Sequence, residues 1–144
     1  MTVISTAVNK ALLDTSYLLA LELARDQHHK QAIRHWQRIA GSKIQLVVTS
    51  FIFAEVVTFL NNRGHHQKAV ELGNNLLHAV SVQFIHVDAA LLFEGWSYFQ
   101  RHADKDYSLT DCISFVLMKN SGIKTAFTFD RHFVQAGFQI EPEP

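Results

Sequence analysis

Short apolar runs alternate along this chain with longer segments whose apolar residues recur every three or four positions. That alternation predicts strands separated by helices. Ala11-Leu12-Leu13 reads as a buried strand ending at Asp14, after which Thr15 or Ser16 caps a helix over 17–25. A second helix is predicted over 29–39, with Ala32, Ile33, Trp36 and Ile39 on one stripe and Gly41 beyond its end. The β-branched run 44–48 reads as a strand. Thr49 or Ser50 caps a helix over 51–62, which Gly64 stops, and 66–79 reads as another helix. A strand over 82–87 leads to Asp88, a natural N-cap for a helix over 89–102. After a charged loop over 103–107, Ser108 caps a helix over 109–120, ended by Gly122. A strand over 125–129, at most a short helix over 130–135 and a last strand over 138–140 follow, and residues 141–144 are expected to fray.

Strands joined through helices imply parallel pairing and right-handed crossovers. The expected fold is therefore α/β, a three-layer α/β/α sandwich around a roughly five-stranded parallel sheet. No repeat, low-complexity tract or linker divides the 144 residues, so one domain over 1–144 is expected.

Composition narrows the class. Hydrophobic residues make up 48%, which suits a packed core and opposes disorder. The formal net charge is +0 and the pI is near 7.1, so no global basic field steers the protein to nucleic acid. Any positive patch must be local or come from oligomerisation. A single cysteine, Cys112, forbids an internal disulfide and points to a reducing, cytoplasmic compartment. The first ten residues lack a signal-peptide pattern, and the most apolar stretch, 46–60, is too short and polar to span a membrane.

Four acids stand where such a fold would expose them. Asp14 and Asp130 each follow an apolar strand, and the carboxyl edge of an open parallel sheet is where sites form. Glu55 shares a helix face with Ile52, Val56 and Phe59, and a carboxylate on a core-facing stripe is costly unless paired or coordinated. Its plain alternative is a glutamate that reaches solvent or pairs with Arg63. Asp111 completes Ser108-x-x-Asp111, close to a capping box, a role compatible with a place in a site. Acids gathered without bases repel unless protons or a cation neutralise them, and hard divalent ions prefer such oxygens. The four together point to a Mg²⁺ or Mn²⁺ site serving phosphoryl chemistry. Asp106, in the loop before Ser108, is a weaker candidate for the site or a second metal, and Asp88 is most simply a cap.

Other chemistry finds less support. The nine histidines lack zinc-motif spacing, and most of them read as surface residues at loop and helix ends. Cys112 has no evident base beside it, and neither a P-loop nor a GxGxxG occurs.

Leu12-Leu13-Asp14-Thr15-Ser16, Thr49-Ser50 with Glu55 five residues on, Ser108-x-Thr110-Asp111 and Thr128-Phe129-Asp130-Arg131-x-Phe133 with Ala136-Gly137-Phe138 together resemble PIN domains. The likeness is greatest to the VapC-type toxins of bacterial toxin–antitoxin pairs, and it covers essentially the whole chain. It implies a PIN-like fold and a Mg²⁺- or Mn²⁺-dependent endoribonuclease. By order in the chain it assigns Asp14 and Asp111 as the main metal holders, with Glu55 and Asp130 completing the acidic site. Thr15 and Thr110 resemble the family's supporting hydroxyls. Arg131 and Lys105, flanking acidic positions, are candidate phosphate contacts. The resemblance also implies a homodimer and an antitoxin segment seated in a groove, for which Trp36, Phe51, Phe53 and Trp96 are candidate exposed aromatics.

Two rival readings start from the same acids. An acidic-site phosphatase of the haloacid-dehalogenase type wants a second aspartate two residues after its nucleophile, where this chain has Ser16, and a receiver domain wants an acidic pair before its phosphoacceptor and a later lysine; neither constellation occurs. A non-catalytic PIN module that holds RNA or protein needs no intact acids, whereas all four are present.

Overall fold

The computed structural model describes residues 9–144. Its five strands are β1 (Lys10–Leu13), β2 (Gln45–Thr49), β3 (Val82–Ile85), β4 (Thr125–Phe127) and β5 (Gln139–Glu141). They form one sheet in the order β3-β2-β1-β4-β5, and every pairing is parallel. The helices among the described residues are α1 (Thr15–Glu22), α2 (His29–Ile39), α3 (Ser50–Asn62), α4 (His66–His78), α5 (Ala89–Arg101), α6 (Leu109–Ser121) and the single turn α7 (His132–Gln135). Helices α1 to α4 contact one another, and α5 to α7 form a second set. That division gives the three layers expected of right-handed crossovers that reverse direction once.

The reversal falls at β1. The chain runs outward from β1 through β2 to β3, then returns to place β4 on the other side of β1. In open parallel sheets a ligand crevice opens at this switch point, outside the carboxyl ends of the strands. Ala11, Leu12 and Leu13 are almost wholly buried, as a central strand covered on both faces requires.

Local chemistry sets the helix starts. The Thr49 and Asp88 side chains cap α3 and α5 by accepting from Ile52 N–H and Leu91 N–H. At α6 the full capping box is present: Ser108 accepts from Asp111 N–H, and the Asp111 carboxylate accepts from Ser108 N–H. Helix α1 differs from expectation, because it starts at Thr15 behind Asp14 with no side-chain cap. Both hydroxyls proposed as caps there are used in the site.

Three expectations need correction. Residues 141–144 do not all fray: Glu141 belongs to β5, Pro142 is buried, and Gln31 Nε2 donates to the Glu143 carbonyl. Glu141 is held because its carboxylate meets His35 Nε2 at 2.9 Å. His35, in turn, is no surface histidine. It is buried, and its Nδ1 lies 2.7 Å from the Tyr17 hydroxyl. With Nε2–H donating to Glu141, Nδ1 accepts from Tyr17, so all three polar groups are satisfied. On α2 the buried positions are thus Ala32 and His35, and Trp36 turns outward at 40% exposure. Trp96 is also exposed, while Phe51 and Phe53 are half-buried.

Gly95 of α5 lets α5 and α6 approach closely. A Cβ there would lie 2.5 Å from Ile113 Cγ1 and 3.2 Å from its Cα, too close to the α6 backbone for any side chain.

Candidate active site

Asp14 follows β1 directly, and its N–H still bonds the Phe127 carbonyl of β4 at 3.0 Å. Its carboxylate is buried. Oδ2 accepts from Thr128 Oγ1 at 2.7 Å and from Ser16 Oγ at 3.1 Å. The same hydroxyls tie down the next segment, since Ser16 Oγ accepts from Phe129 N–H and Thr128 Oγ1 from Asp130 N–H. Thr128 N–H still bonds the Glu141 carbonyl of β5 at 3.0 Å, and from Phe129 onward these side-chain bonds replace strand pairing. Burial pushes the Asp14 carboxyl up to about 6; the Thr128 bond opposes the rise and the negative charge of Asp111 adds to it.

Asp111 takes its expected place in the capping box of α6. It lies near Asp130 and His132, and its carboxyl is held above the usual range mainly by burial. Asp130 accepts from His132 N–H at 2.9 Å, turning the chain into α7. His132 Nδ1 lies 3.3 Å from Asp130 Oδ1 and 3.4 Å from Asp111 Oδ2. One potential donor atom from each of Asp111, Asp130 and His132 falls within 4.8 Å of the others.

Glu55 is exposed rather than core-facing. Ile52, Val56 and Leu60 make the buried stripe of α3, and Glu55 sits beside that stripe, over the sheet's carboxyl edge. It does not depend on Arg63 for a partner. Thr15 Oγ1 donates to Oε1 and Thr110 Oγ1 donates to Oε2, each at 3.0 Å. The two threonines thus fix both carboxylate oxygens from α1 and α6.

Thr128 ties the Asp14 carboxylate to the Asp130 backbone, the His132 ring lies between Asp111 and Asp130, and Glu55 is held by Thr15 and Thr110, the chain neighbours of Asp14 and Asp111; Asp14 and Glu55 stand outside the close donor group. Arg131 is exposed beside Asp130. Lys105 is exposed and its ammonium lies 3.9 Å from Asp104. Asp106 is exposed and stands outside the donor group of Asp111, Asp130 and His132. Sequence reasoning missed Ser16, Thr128 and His132. Thr128 and His132 carried a usable signal, since both lie two residues from Asp130 and short polar side chains there reach the same turn. Cys112 is fully buried and burial pushes its thiol up to about 11, so it is no nucleophile.

The group of Asp111, Asp130 and His132 fits a divalent cation, since two of its three members are carboxyl groups. Asp111, and Asp14 beside that group, hold their protons more firmly than usual, and a cation nearby would favour their release and relieve the repulsion.

A parallel sheet with an acidic crevice at its switch point is the PIN arrangement, and the sequence matches the PIN-domain family over residues 11–139. The chain belongs to that family. It is 38% identical over 133 residues to the 23S rRNA-specific endonuclease VapC20 of Mycobacterium tuberculosis, covering 91% of this chain and 98% of that protein. The crystal structure of VapC20, described as a sarcin–ricin loop cleaving toxin, superposes with a TM-score of 0.78 at 34% identity, covering 89% of this chain and 95% of that one. VapBC2 from Rickettsia felis, solved on a promoter DNA fragment, shares the fold with a TM-score of 0.66 at 13% identity, over 92% of this chain and 97% of that one. FitAcB from Neisseria gonorrhoeae does so at 0.63 and 17%, over 90% and 95%. Among the described residues no helix is long and apolar enough to cross a membrane.

Proposed function

We propose that this chain is a divalent-cation-dependent endoribonuclease, the toxin of a toxin–antitoxin pair. The observation that carries the reading is the Glu55 carboxylate fixed by Thr15 and Thr110, the chain neighbours of Asp14 and Asp111, in a chain that aligns with nearly the full length of an endonuclease. Asp14, Asp111 and Asp130 would hold Mg²⁺ or Mn²⁺, with His132 as a further donor and Glu55 at the rim. When bound, the cation supplies Lewis-acid polarisation of the phosphodiester.

The chain's own groups do the rest. Thr15 and Thr110 hold Glu55 in one orientation, so its exposed carboxylate orients the attacking water and takes its proton. Thr128 and Ser16 keep Asp14 aimed at the crevice. Arg131 is placed to meet a phosphate beside Asp130, and Lys105 can do so on leaving Asp104. Asp106 is assigned no more than a peripheral share. By analogy with its relative, the first RNA to offer is a sarcin–ricin stem-loop. The partners proposed are an antitoxin protein and a second copy of the chain, whose contact would use exposed apolar side chains such as Trp96 and Phe93.

The test is cleavage of that stem-loop and of a panel of structured RNAs by purified protein, with Mg²⁺ or Mn²⁺, with EDTA, and with Asp14→Asn. Cleavage that EDTA and the substitution both abolish is expected. Cleavage that survives either one refutes the proposed site.

A further inference from the structure

Glu55 has a second environment. On its outer side it forms one wall of an open groove of about 550 Å³, with Thr15, Ala54, Thr58, Phe59 and Asn62. Apart from Thr15, these residues come from successive turns of α3, so the groove starts at the acidic site and runs along one helix. Glu55, Phe59 and Arg63 recur at intervals of four, one face of that helix. Phe59 is half-buried, and the exposed Arg63 lays its guanidinium over the ring, 4.4 Å from the centroid. A cation held flat on an aromatic face offers a stacking surface and a phosphate contact together.

The occupant follows from charge and continuity. The groove leaves the acidic crevice at Glu55 and follows α3 to Asn62, and Arg63, next in the chain and about 12 Å from Glu55 along the helix axis, sets its guanidinium on the Phe59 ring at the groove's edge. A polyanion whose scissile phosphate lies at the acids would run that way. Between the two ends stand a hydroxyl, Thr58, and a carboxamide, Asn62, side chains that read base edges and 2′-hydroxyls in single-stranded RNA. In a chain of net charge +0, one local Arg–Phe platform supplies what the overall field does not.

We infer that this groove is a nucleotide subsite, in which an unpaired base next to the cut stacks on the Phe59–Arg63 pair while Thr58 and Asn62 select it. The inference rests on the nuclease reading for its direction. It concerns binding, and it is tested separately from cleavage.

The experiment uses the Asp14→Asn protein, which keeps RNA intact, and short single-stranded RNAs carrying 2-aminopurine. Fluorescence anisotropy gives affinity, and quenching of the 2-aminopurine reports stacking. Adding Phe59→Leu, which keeps apolar bulk against the core, is expected to weaken binding about tenfold and to abolish the quenching. Adding Arg63→Gln is expected to weaken binding and to lower the slope of log affinity against log salt by about one. Thr58→Val and Asn62→Ala are expected to narrow the difference in affinity between RNAs that differ in the stacked base. Unchanged affinity and quenching in both the Phe59 and Arg63 variants would overturn the subsite and leave the groove to a protein partner. Wild-type cleavage alongside that result would overturn the subsite alone. Groove-dependent binding by a wild type that cuts no RNA would overturn the nuclease reading alone.

Discussion

Replacing Asp14 with asparagine is expected to end catalysis while stabilising the cation-free fold. Asp14 is buried beside Asp111, and its carboxyl is pushed up to about 6 from an ordinary 3.8. Between about pH 4 and about pH 6 the folded chain keeps a proton on Asp14 that the unfolded chain has released. Stability therefore falls as pH rises through that window. At about 1.36 kcal/mol per pH unit, the ionised carboxylate destabilises the fold by about 3 kcal/mol above pH 6. Asparagine stays neutral at every pH. Its amide oxygen can still accept from Ser16 and Thr128, more weakly than a carboxylate, a loss of about 1 kcal/mol. The net gain near pH 7.5 is about 2 kcal/mol, or a Tm roughly 4–8 °C higher in a chain of this size. The assay is urea unfolding of both proteins in EDTA at pH 4 and pH 7.5. The gap in favour of the variant should be large at the higher pH and should close or reverse at the lower. A variant less stable at pH 7.5, or a gap that ignores pH, would refute the account of Asp14 as a strained acid awaiting a cation.

Thr128→Val removes a bond that lowers the Asp14 pKa, so the acid limb of the pH–rate profile should move to higher pH. Mg²⁺ should raise the Tm of wild type more than that of Asp111→Asn; equal shifts in a thermal melt would count against Asp111 as a ligand. Tyr17→Phe leaves buried His35 Nδ1 without its donor and should cost about 1–3 kcal/mol in urea unfolding. Gly95→Ala forces a methyl against Ile113 and should cost about 1–3 kcal/mol, with α5 and α6 losing amide protection first in hydrogen exchange.

The strand–helix order and the caps at Thr49, Asp88 and Ser108 were readable in the sequence because local patterns decide them. Apolar runs of strand length and a serine three residues before an aspartate need no tertiary information. Asp14 and Asp130 were also readable, because the parallel topology alone sends the ends of β1 and β4 to one edge. Less accessible was whatever depends on two distant segments meeting. His35 reads as a surface residue until Glu141 and Tyr17 come to its two nitrogens. Glu55 reads as core-facing until Thr15 and Thr110 take its oxygens at the rim. Ser16 reads as a cap for α1, yet its hydroxyl serves Asp14 and Phe129. Side-chain hydroxyls fall below the resolution of hydrophobic periodicity, and this site is organised by hydroxyls.

The bond from Thr128 to Asp14 joins residues 114 positions apart. During translation Asp14, Glu55 and Asp111 all leave the ribosome before Thr128 does. Until then β1 lacks one flanking strand, and the Asp14 carboxylate lacks the hydroxyl that orients it. A nascent chain holding three of the four acids is thus not a partial enzyme, because the same late segment closes both the sheet and the site. The acidic site is therefore completed last, by the segment that also gives β1 its second neighbour.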